Sequence, residues 1–146
     1  AACIACGKCE KNCPTGAIAV SGNLAEIDYD KCIGCRMCMA ACPYNARSFN
    51  WDEPVHVPDF AYGDANVEGR VRGVAEKCTL CKERTDRGDE PMCVKCCLAK
   101  ARIFGDLDDP NSEVSKLIGS VKTERLFEEF GTEPQIYYIP DLGGKA

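Results

Sequence analysis

The strongest constraint on this chain is a pair of cysteine runs. Cys3-Ile4-Ala5-Cys6-Gly7-Lys8-Cys9-Glu10-Lys11-Asn12-Cys13-Pro14 and Cys32-Ile33-Gly34-Cys35-Arg36-Met37-Cys38-Met39-Ala40-Ala41-Cys42-Pro43 share the pattern C-x2-C-x2-C-x3-C-P, offset by 29 residues. Thiols this close cannot bridge one another without strain, so the runs do not read as a disulfide scaffold. A third set follows, Cys78-x2-Cys81-x11-Cys93-x3-Cys97, with Cys96 beside it, and brings the cysteines to 13. The odd total leaves one thiol outside any pairing scheme.

Triplets followed by Cys-Pro are ligand sets for cubane clusters. Three cysteines two residues apart wrap a loop around one 4Fe-4S cube, and the fourth, turned away at the Cys-Pro step, ligates the cube held by the other repeat, as in two-cluster ferredoxins. The expected ligands are therefore Cys3, Cys6, Cys9 and Cys42 for a cluster A, and Cys32, Cys35, Cys38 and Cys13 for a cluster B. Exchanging ligands in this way staples the repeats together with pseudo-two-fold symmetry. Zinc is the competing reading. It uses separated C-x2-C pairs rather than triplets, which fits the two repeats poorly but leaves zinc open for the third set taken alone.

If twelve thiols bind iron, the 45% hydrophobic content overstates the apolar core, because cysteine is counted in it. Metal centres must then supply much of the folding free energy. The formal charge is −5, and three oxidised cubes with their thiolates would bring the total to about −11. An acidic chain without a basic footprint is a poor nucleic-acid binder, so a basic or mixed-charge protein face is the expected partner. No run of 18 apolar residues and no signal-like segment occur, which reads as neither direct membrane insertion nor self-export. The start at Ala1, two residues before a ligand cysteine, reads as a truncated or processed end.

Between the two runs, Ala17–Val20 and Leu24–Asp28 flank Ser21-Gly22-Asn23, the pattern of a short hairpin. A single helical turn is expected after each Cys-Pro, since proline suits the first helical position. Residues 52 to 67, with Pro54, Pro58 and Gly63, read as a surface loop, and Arg70 to Lys77 as a strand leading into Cys78. Ser112 is a helix N-cap for Glu113 to Ile118, closed by Gly119. A second short helix is expected over Glu124 to Phe130, closed by Gly131, before an extended apolar tail, Gln135–Pro140, that lies against the cluster domain or a partner. The predicted architecture is α+β, a bacterial-type two-cluster ferredoxin fold with short hairpins and helical turns. A third cysteine set and a C-terminal helical and extended arm are added to it. Its segments are 1–51 for the repeat, 52–76 for the loop, 77–110 for the third set and 111–146 for the arm.

Lys77-Cys78-Thr79-Leu80-Cys81, then Arg84, Gly88, Pro91, Cys93-Val94 and Cys97, then the run Ala101-Arg102-Ile103-Phe104-Gly105-Asp106-Leu107-Asp108-Asp109-Pro110-Asn111-Ser112, carry a resemblance. With Asp30–Arg36, Cys42-Pro43-Tyr44 and the closing Gly131-Thr132-Glu133-Pro134 before Tyr137-Tyr138, they resemble the four-cluster ferredoxin-type iron-sulfur (beta) subunits of molybdopterin oxidoreductases, the dimethyl sulfoxide, polysulfide, thiosulfate and tetrathionate reductase type. The chain departs from that pattern in showing three of four cysteine sets, in the plain spacing of Cys6 and Cys9, in Leu98 where proline is usual, and in Cys96. The resemblance implies Cys97 as the fourth ligand of the third set, after Cys78, Cys81 and Cys93, with the adjacent Cys96 as alternative. In the family the last set exchanges ligands with the first, so an upstream set and a fourth cluster would change the role of Cys97.

His56, the single histidine, reads as a surface loop residue, and Tyr44, Phe49 and Trp51 as packing around clusters A and B. The mixed charges Lys82, Glu83, Arg84, Asp86, Arg87, Asp89 and Glu90 read as a solvated face, with docking as a second reading. No Ser/His/Asp or paired-carboxylate arrangement stands out.

Four-cysteine clusters leave no open coordination site, so the expected activity is electron relay rather than catalysis by this chain alone. The cysteine sets imply three 4Fe-4S clusters, and the resemblance implies a large molybdopterin-type catalytic subunit as partner, with a membrane quinone-linked subunit or a soluble donor on the other side of the relay. A free-standing polyferredoxin and a structural zinc and iron-binding interaction module are the alternatives. Assembly in the cytoplasm is expected, with the final site on either side of the membrane as part of a complex.

Overall fold

The computed structural model describes residues 3–55, 60, 63–67 and 69–140. The chain divides into two compact units, Ala1–Glu83 and Arg84–Ala146. The division falls inside the third cysteine set, between Cys81 and Cys93.

In the first unit, α1 (Lys8–Lys11) is followed by β1 (Ile18–Ser21) and β2 (Leu24–Ile27), then α2 (Met37–Ala40), β3 (Arg47–Phe49) and β4 (Ala75–Lys77). The predicted hairpin is present: β1 and β2 pair antiparallel, with Ile18 opposite Ile27 and Ser21 opposite Leu24, around a turn whose Gly22 has φ 56°. The helical turns, however, lie before each Cys-Pro and not after it. The fourth residue of each donates to the residue preceding the helix, Lys11 N–H to Gly7 O at 3.1 Å and Ala40 N–H to Arg36 O at 3.3 Å. After each cysteine, proline instead takes the second position of a tight turn, closed by Gly16 N–H on Cys13 O and Asn45 N–H on Cys42 O.

A second hairpin goes beyond the sequence expectation. Of the strand expected over Arg70–Lys77 only Ala75–Lys77 is regular, and it pairs with β3, placing Arg47 opposite Lys77 and Phe49 opposite Ala75. Asn50 extends the ladder, donating to Val74 O at 3.1 Å and accepting from Gly73 N–H at 2.8 Å. The described residues of the intervening loop form bends and turns without helix or strand, and His56 and Pro58 lie outside the described residues.

The core is small. Its buried apolar members are Ile4, Cys9, Ala17, Ile18, Ala25, Cys38, Tyr44, Val74 and Ala75, with no large side chain fully enclosed among the described residues. Two of these are cysteines, each near the start of its helical turn, so the centre of the unit is built around sulfur.

In the second unit, α4 (Met92–Lys95) and α5 (Glu113–Ser120) follow α3 (Lys82–Thr85), which carries the division. Ser112 caps α5 as predicted, its hydroxyl accepting from Ser115 N–H at 3.1 Å and donating to Asp106 O at 2.6 Å. Gly119 stays within α5, which continues until Val121 turns extended. The helix predicted over Glu124–Phe130 shrinks to a 3-10 turn at Glu128–Phe130, closed by Gly131 at φ 61°. Glu124 is instead taken by a bridge to Tyr138, with reciprocal N–H to O bonds of 2.8 Å. The extended tail thus lies on its own chain, with the Arg125 guanidinium 5.5 Å over the Tyr137 ring and an ion pair to Glu128 beside it.

Gly34 sits between Cys32 and Cys35 at φ 68°, and a Cβ there would collide with the Gly73 carbonyl, whereas one at Gly22 would meet nothing. Gly34→Ala should therefore cost roughly 1 to 2 kcal/mol from the left-handed backbone plus a further 1 to 3 kcal/mol of overpacking. Gly22→Ala should cost the first part alone. Thermal denaturation of the two iron-loaded variants checks the difference, and equal losses would contradict the close approach.

Candidate metal centre

The three cysteine sets are built by one local backbone device. Two residues after the first cysteine, Ala5, Gly34 and Leu80 all have positive φ, of 53°, 68° and 54°. Where the side chain is not glycine, that residue turns its N–H back on the first sulfur: Ala5 on Cys3 Sγ and Leu80 on Cys78 Sγ, both at 3.4 Å. The third cysteine is the second residue of a helical turn in every set, Cys9 in α1, Cys38 in α2 and Cys93 in α4. The fourth closes that turn, with Cys13, Cys42 and Cys97 donating to Glu10, Met39 and Val94 carbonyls at 3.1, 3.2 and 3.0 Å.

Each fourth cysteine is then the first residue of a tight turn. Gly16, Asn45 and Lys100 return N–H to Cys13, Cys42 and Cys97 carbonyls at 3.4, 3.3 and 3.0 Å, and all three have positive φ. The next N–H points at sulfur, Ala46 on Cys42 Sγ at 3.4 Å and Ala101 on Cys97 Sγ at 3.3 Å. Each half of the third set therefore repeats local hydrogen bonds of the two repeats, although Cys81 has positive φ where Cys6 and Cys35 do not, and its helical turn is entered from an extended Pro91 rather than a left-handed residue. Cys96 holds the place of Asn12 and Ala41, capping the helical turn with its N–H on Met92 O, while its exposed sulfur meets Met92 Sδ at 3.4 Å.

Within the first unit the cysteines of the two repeats converge. α1 and α2 pack together, and Cys3 and Cys13 lie against the core that holds Cys9 and Cys38. Burial pushes the Cys38 thiol up, Arg47 opposes that shift, and neighbouring Cys32, Cys9 and Cys35 add to it. At Cys13 burial also raises the thiol, but hydrogen bonding to the Thr15 hydroxyl at 3.7 Å and to the Thr15, Ala17 and Ile18 N–H groups outweighs it, and the net shift is down.

Two cations that the sequence pattern does not single out complete the site. Arg47 and Lys77 are 5% and 7% exposed, within the range of the apolar core. Arg47 Nη2 donates to Cys9 Sγ at 2.8 Å, while its buried Nη1 has no partner. Lys77 donates to the Cys78 carbonyl; burial pushes its ammonium down, Cys3 and Cys78 pull it up, Arg47 lowers it and Cys9 raises it. Neither has a carboxylate partner among the described residues; the nearby Glu76 pairs with Arg70 at 3.3 Å and accepts from Asn50. Two buried, uncompensated cations beside clustered thiols fit an anionic thiolate-metal centre, which would supply the missing negative charge. An open cleft of about 300 Å³ adjoins them, lined by Asn45, Ala46, Arg70 and Cys78 among others. The sequence did hold a signal, because the 29-residue offset aligns Arg47 with the buried Ile18.

All 13 cysteines are free of disulfides. Among the described residues no group of three or more Cys, His, Asp or Glu side chains is gathered closely enough to hold a single metal ion. Tyr44 is buried and Phe49 packs on the core, as expected, but Trp51 is 60% exposed, held edge-on to Phe49 and beneath the Arg36 guanidinium. Asp86–Glu90 are exposed, consistent with a solvated charged face. No helix among the described residues is long and apolar enough to cross a membrane.

Comparison with known proteins agrees with this geometry. Two family profiles, each described as a 4Fe-4S dicluster domain, match residues 2–46 and 64–107. A Halobacterium salinarum protein named as an iron-sulfur subunit of dimethyl sulfoxide reductase is 56% identical over 90% of this chain and 50% of its own length. A selenate reductase subunit of Mesobacillus selenatarsenatis is 44% identical over 90% of the chain and 50% of its own length. The chain thus spans about half the length of these two relatives. It is also 37% identical to the arsenate respiratory reductase iron-sulfur subunit of a Shewanella species, and there the match takes in 94% of the chain and 72% of the relative. On that extent of shared sequence, the chain belongs to the 4Fe-4S iron-sulfur subunits of the dimethyl sulfoxide, selenate, arsenate and polysulfide reductase type.

Proposed function

We propose that this chain relays single electrons through 4Fe-4S clusters to or from a molybdopterin-containing catalytic subunit, with a membrane quinone-linked subunit as the more distant partner. The observation that carries the reading is the threefold repetition of one thiolate-presenting frame, identical in its hydrogen bonds around Cys13, Cys42 and Cys97. Relatives named as subunits of reductases support the partner assignment.

Cluster A takes Cys3, Cys6, Cys9 and Cys42, and cluster B takes Cys32, Cys35, Cys38 and Cys13. In support, Arg47, five residues beyond Cys42, bonds to Cys9 of the other repeat, so the segment after Cys42 runs beside the first repeat's sulfurs. The third cluster takes Cys78, Cys81, Cys93 and Cys97 from their spacing. Cys97 is preferred to Cys96 because it repeats the frame of Cys13 and Cys42. Such clusters, when bound, supply one-electron transfer at a saturated metal. The chain's own residues hold the sulfurs, aim N–H groups at them and limit water at Cys9 and Cys38.

Three measurements test this. Metal analysis of the full chain should return about four iron per cluster and little zinc, with reduced-state EPR of interacting 4Fe-4S centres; near-stoichiometric zinc would end the reading. Cys97→Ser should remove about one cluster's iron while Cys96→Ser leaves iron content unchanged, and the reverse result would move the ligand to Cys96. Chelating the iron should unfold the first unit, seen as loss of its far-ultraviolet dichroism, because its apolar core alone is too small to stabilise it.

A further inference from the structure

The two repeats match in backbone but not in the charge they place against their sulfurs. The 29-residue offset that maps Cys9 onto Cys38 also maps Ile18 onto Arg47. Ile18 is 5% exposed and faces Ile27 across β1 and β2; Arg47 is 5% exposed and faces Lys77 across β3 and β4. An apolar cross-strand pair in one hairpin is thus a pair of cations in the other. Neither cation pairs with a carboxylate among the described residues: Arg47 Nη2 donates to Cys9 Sγ at 2.8 Å, and Lys77 directly precedes Cys78 and donates to its carbonyl oxygen.

We propose that the Arg47–Lys77 pair breaks the equivalence of the two repeats, holding the cluster on Cys3, Cys6 and Cys9 at a higher reduction potential than the cluster on Cys32, Cys35 and Cys38. The inference rests on the electron-relay reading and adds an electrostatic origin for the order of potentials. Adding an electron makes a cluster more negative, and a cation fixed in a site of reduced dielectric favours that state. A pair of isoleucines offers no such charge. Arg47 is always protonated, and it acts on both repeats, since it also lies near enough to Cys38 to influence its thiol. Lys77 stands opposite Arg47, whose guanidinium bonds to Cys9, so the pair lies on the side of the first repeat's sulfurs. Both are tuning and positioning residues and take no part in bond making.

The experiment is an EPR-monitored redox titration of the iron-loaded full chain and of Lys77→Gln, Lys77→Arg and Arg47→Met. Lys77→Gln keeps a donor for the Cys78 carbonyl and loses only the charge. One midpoint should fall by a factor of ten or more in the reduction equilibrium, about 59 mV for a one-electron couple, while another stays within twofold. Lys77→Arg should leave every midpoint within twofold of the parent. A Lys77→Gln protein with full iron and every midpoint unmoved, or with all midpoints lowered alike, would overturn the proposal. Should Lys77→Gln shed iron, Arg47→Met carries the test: because Arg47 bonds to Cys9, one midpoint should fall more than the others, and midpoints that stay unmoved or fall alike there overturn the proposal equally. A parent chain without reducible cluster signals would instead end the electron-relay reading itself.

Discussion

Sulfur occupies the place that a hydrocarbon core takes in most domains of this size, and the rest of the first unit follows from that. Cys9 and Cys38 are among its most buried side chains, with Cys32 and Cys35 near enough to Cys38 to raise its pKa. Two thiolates about 4 Å apart repel by roughly 4 kcal/mol at an effective dielectric of 20. Clustered thiolates are therefore unstable together unless a multivalent cationic core lies between them. Buried aliphatic area cannot compensate, because the apolar members of the core are mostly small residues and the four-residue strands of a single hairpin. Folding of the unit and binding of its clusters should therefore be coupled.

Repetition of the frame shows which parts of it are constrained. Pro14 and Pro43 follow the fourth cysteine in the repeats, but Leu98 does so in the third set, fully exposed and with the same Cys97 to Lys100 turn. Proline therefore favours that turn without being required for it, as its preset φ would suggest. The residue closing the turn has positive φ whether it is Gly16, Asn45 or Lys100, although the last should cost about 1 kcal/mol more than glycine. What persists through all three is the set of N–H groups returned to carbonyl and sulfur. A frame defined by backbone hydrogen bonds tolerates an eleven-residue interval between Cys81 and Cys93, because each half makes its own bonds locally.

Legibility in the sequence divides along the same line. Cysteine spacing, the Gly22 hairpin and the Ser112 cap are set by residues adjacent in the chain, and they are readable there. The helical turn falls on the other side of Cys-Pro from the expected one, because proline fits the second position of a tight turn as well as it fits the first position of a helix. β3 escapes a sequence reading because Arg47-Ser48-Phe49 has no apolar alternation and its partner lies beyond a long loop, so only tertiary pairing makes it a strand. Glu124–Phe130 looks helical by composition, but the bridge to Tyr138 takes its first residue. The cation pair is hidden for a different reason: a charged residue is read as exposed by default, and only superposing the two repeats exposes Arg47 in an isoleucine's position.

That substitution matters because duplication by itself yields no direction. Two repeats with equal ligand sets and equal surroundings would hold their electrons at equal potential, and an acidic chain adds a background that disfavours reduction of both. Local charge must break the tie, and it is effective only where solvent does not screen it. Surface ion pairs such as Lys31–Asp28, both substantially exposed, are screened and self-neutralised. Arg47 and Lys77 are neither: they are buried, opposite one another across two strands, and no carboxylate among the described residues neutralises them. Their mutual repulsion costs stability in the metal-free chain and is relieved only by an anionic centre, so one pair of residues ties metal retention in the first repeat to the electrostatic difference between the two.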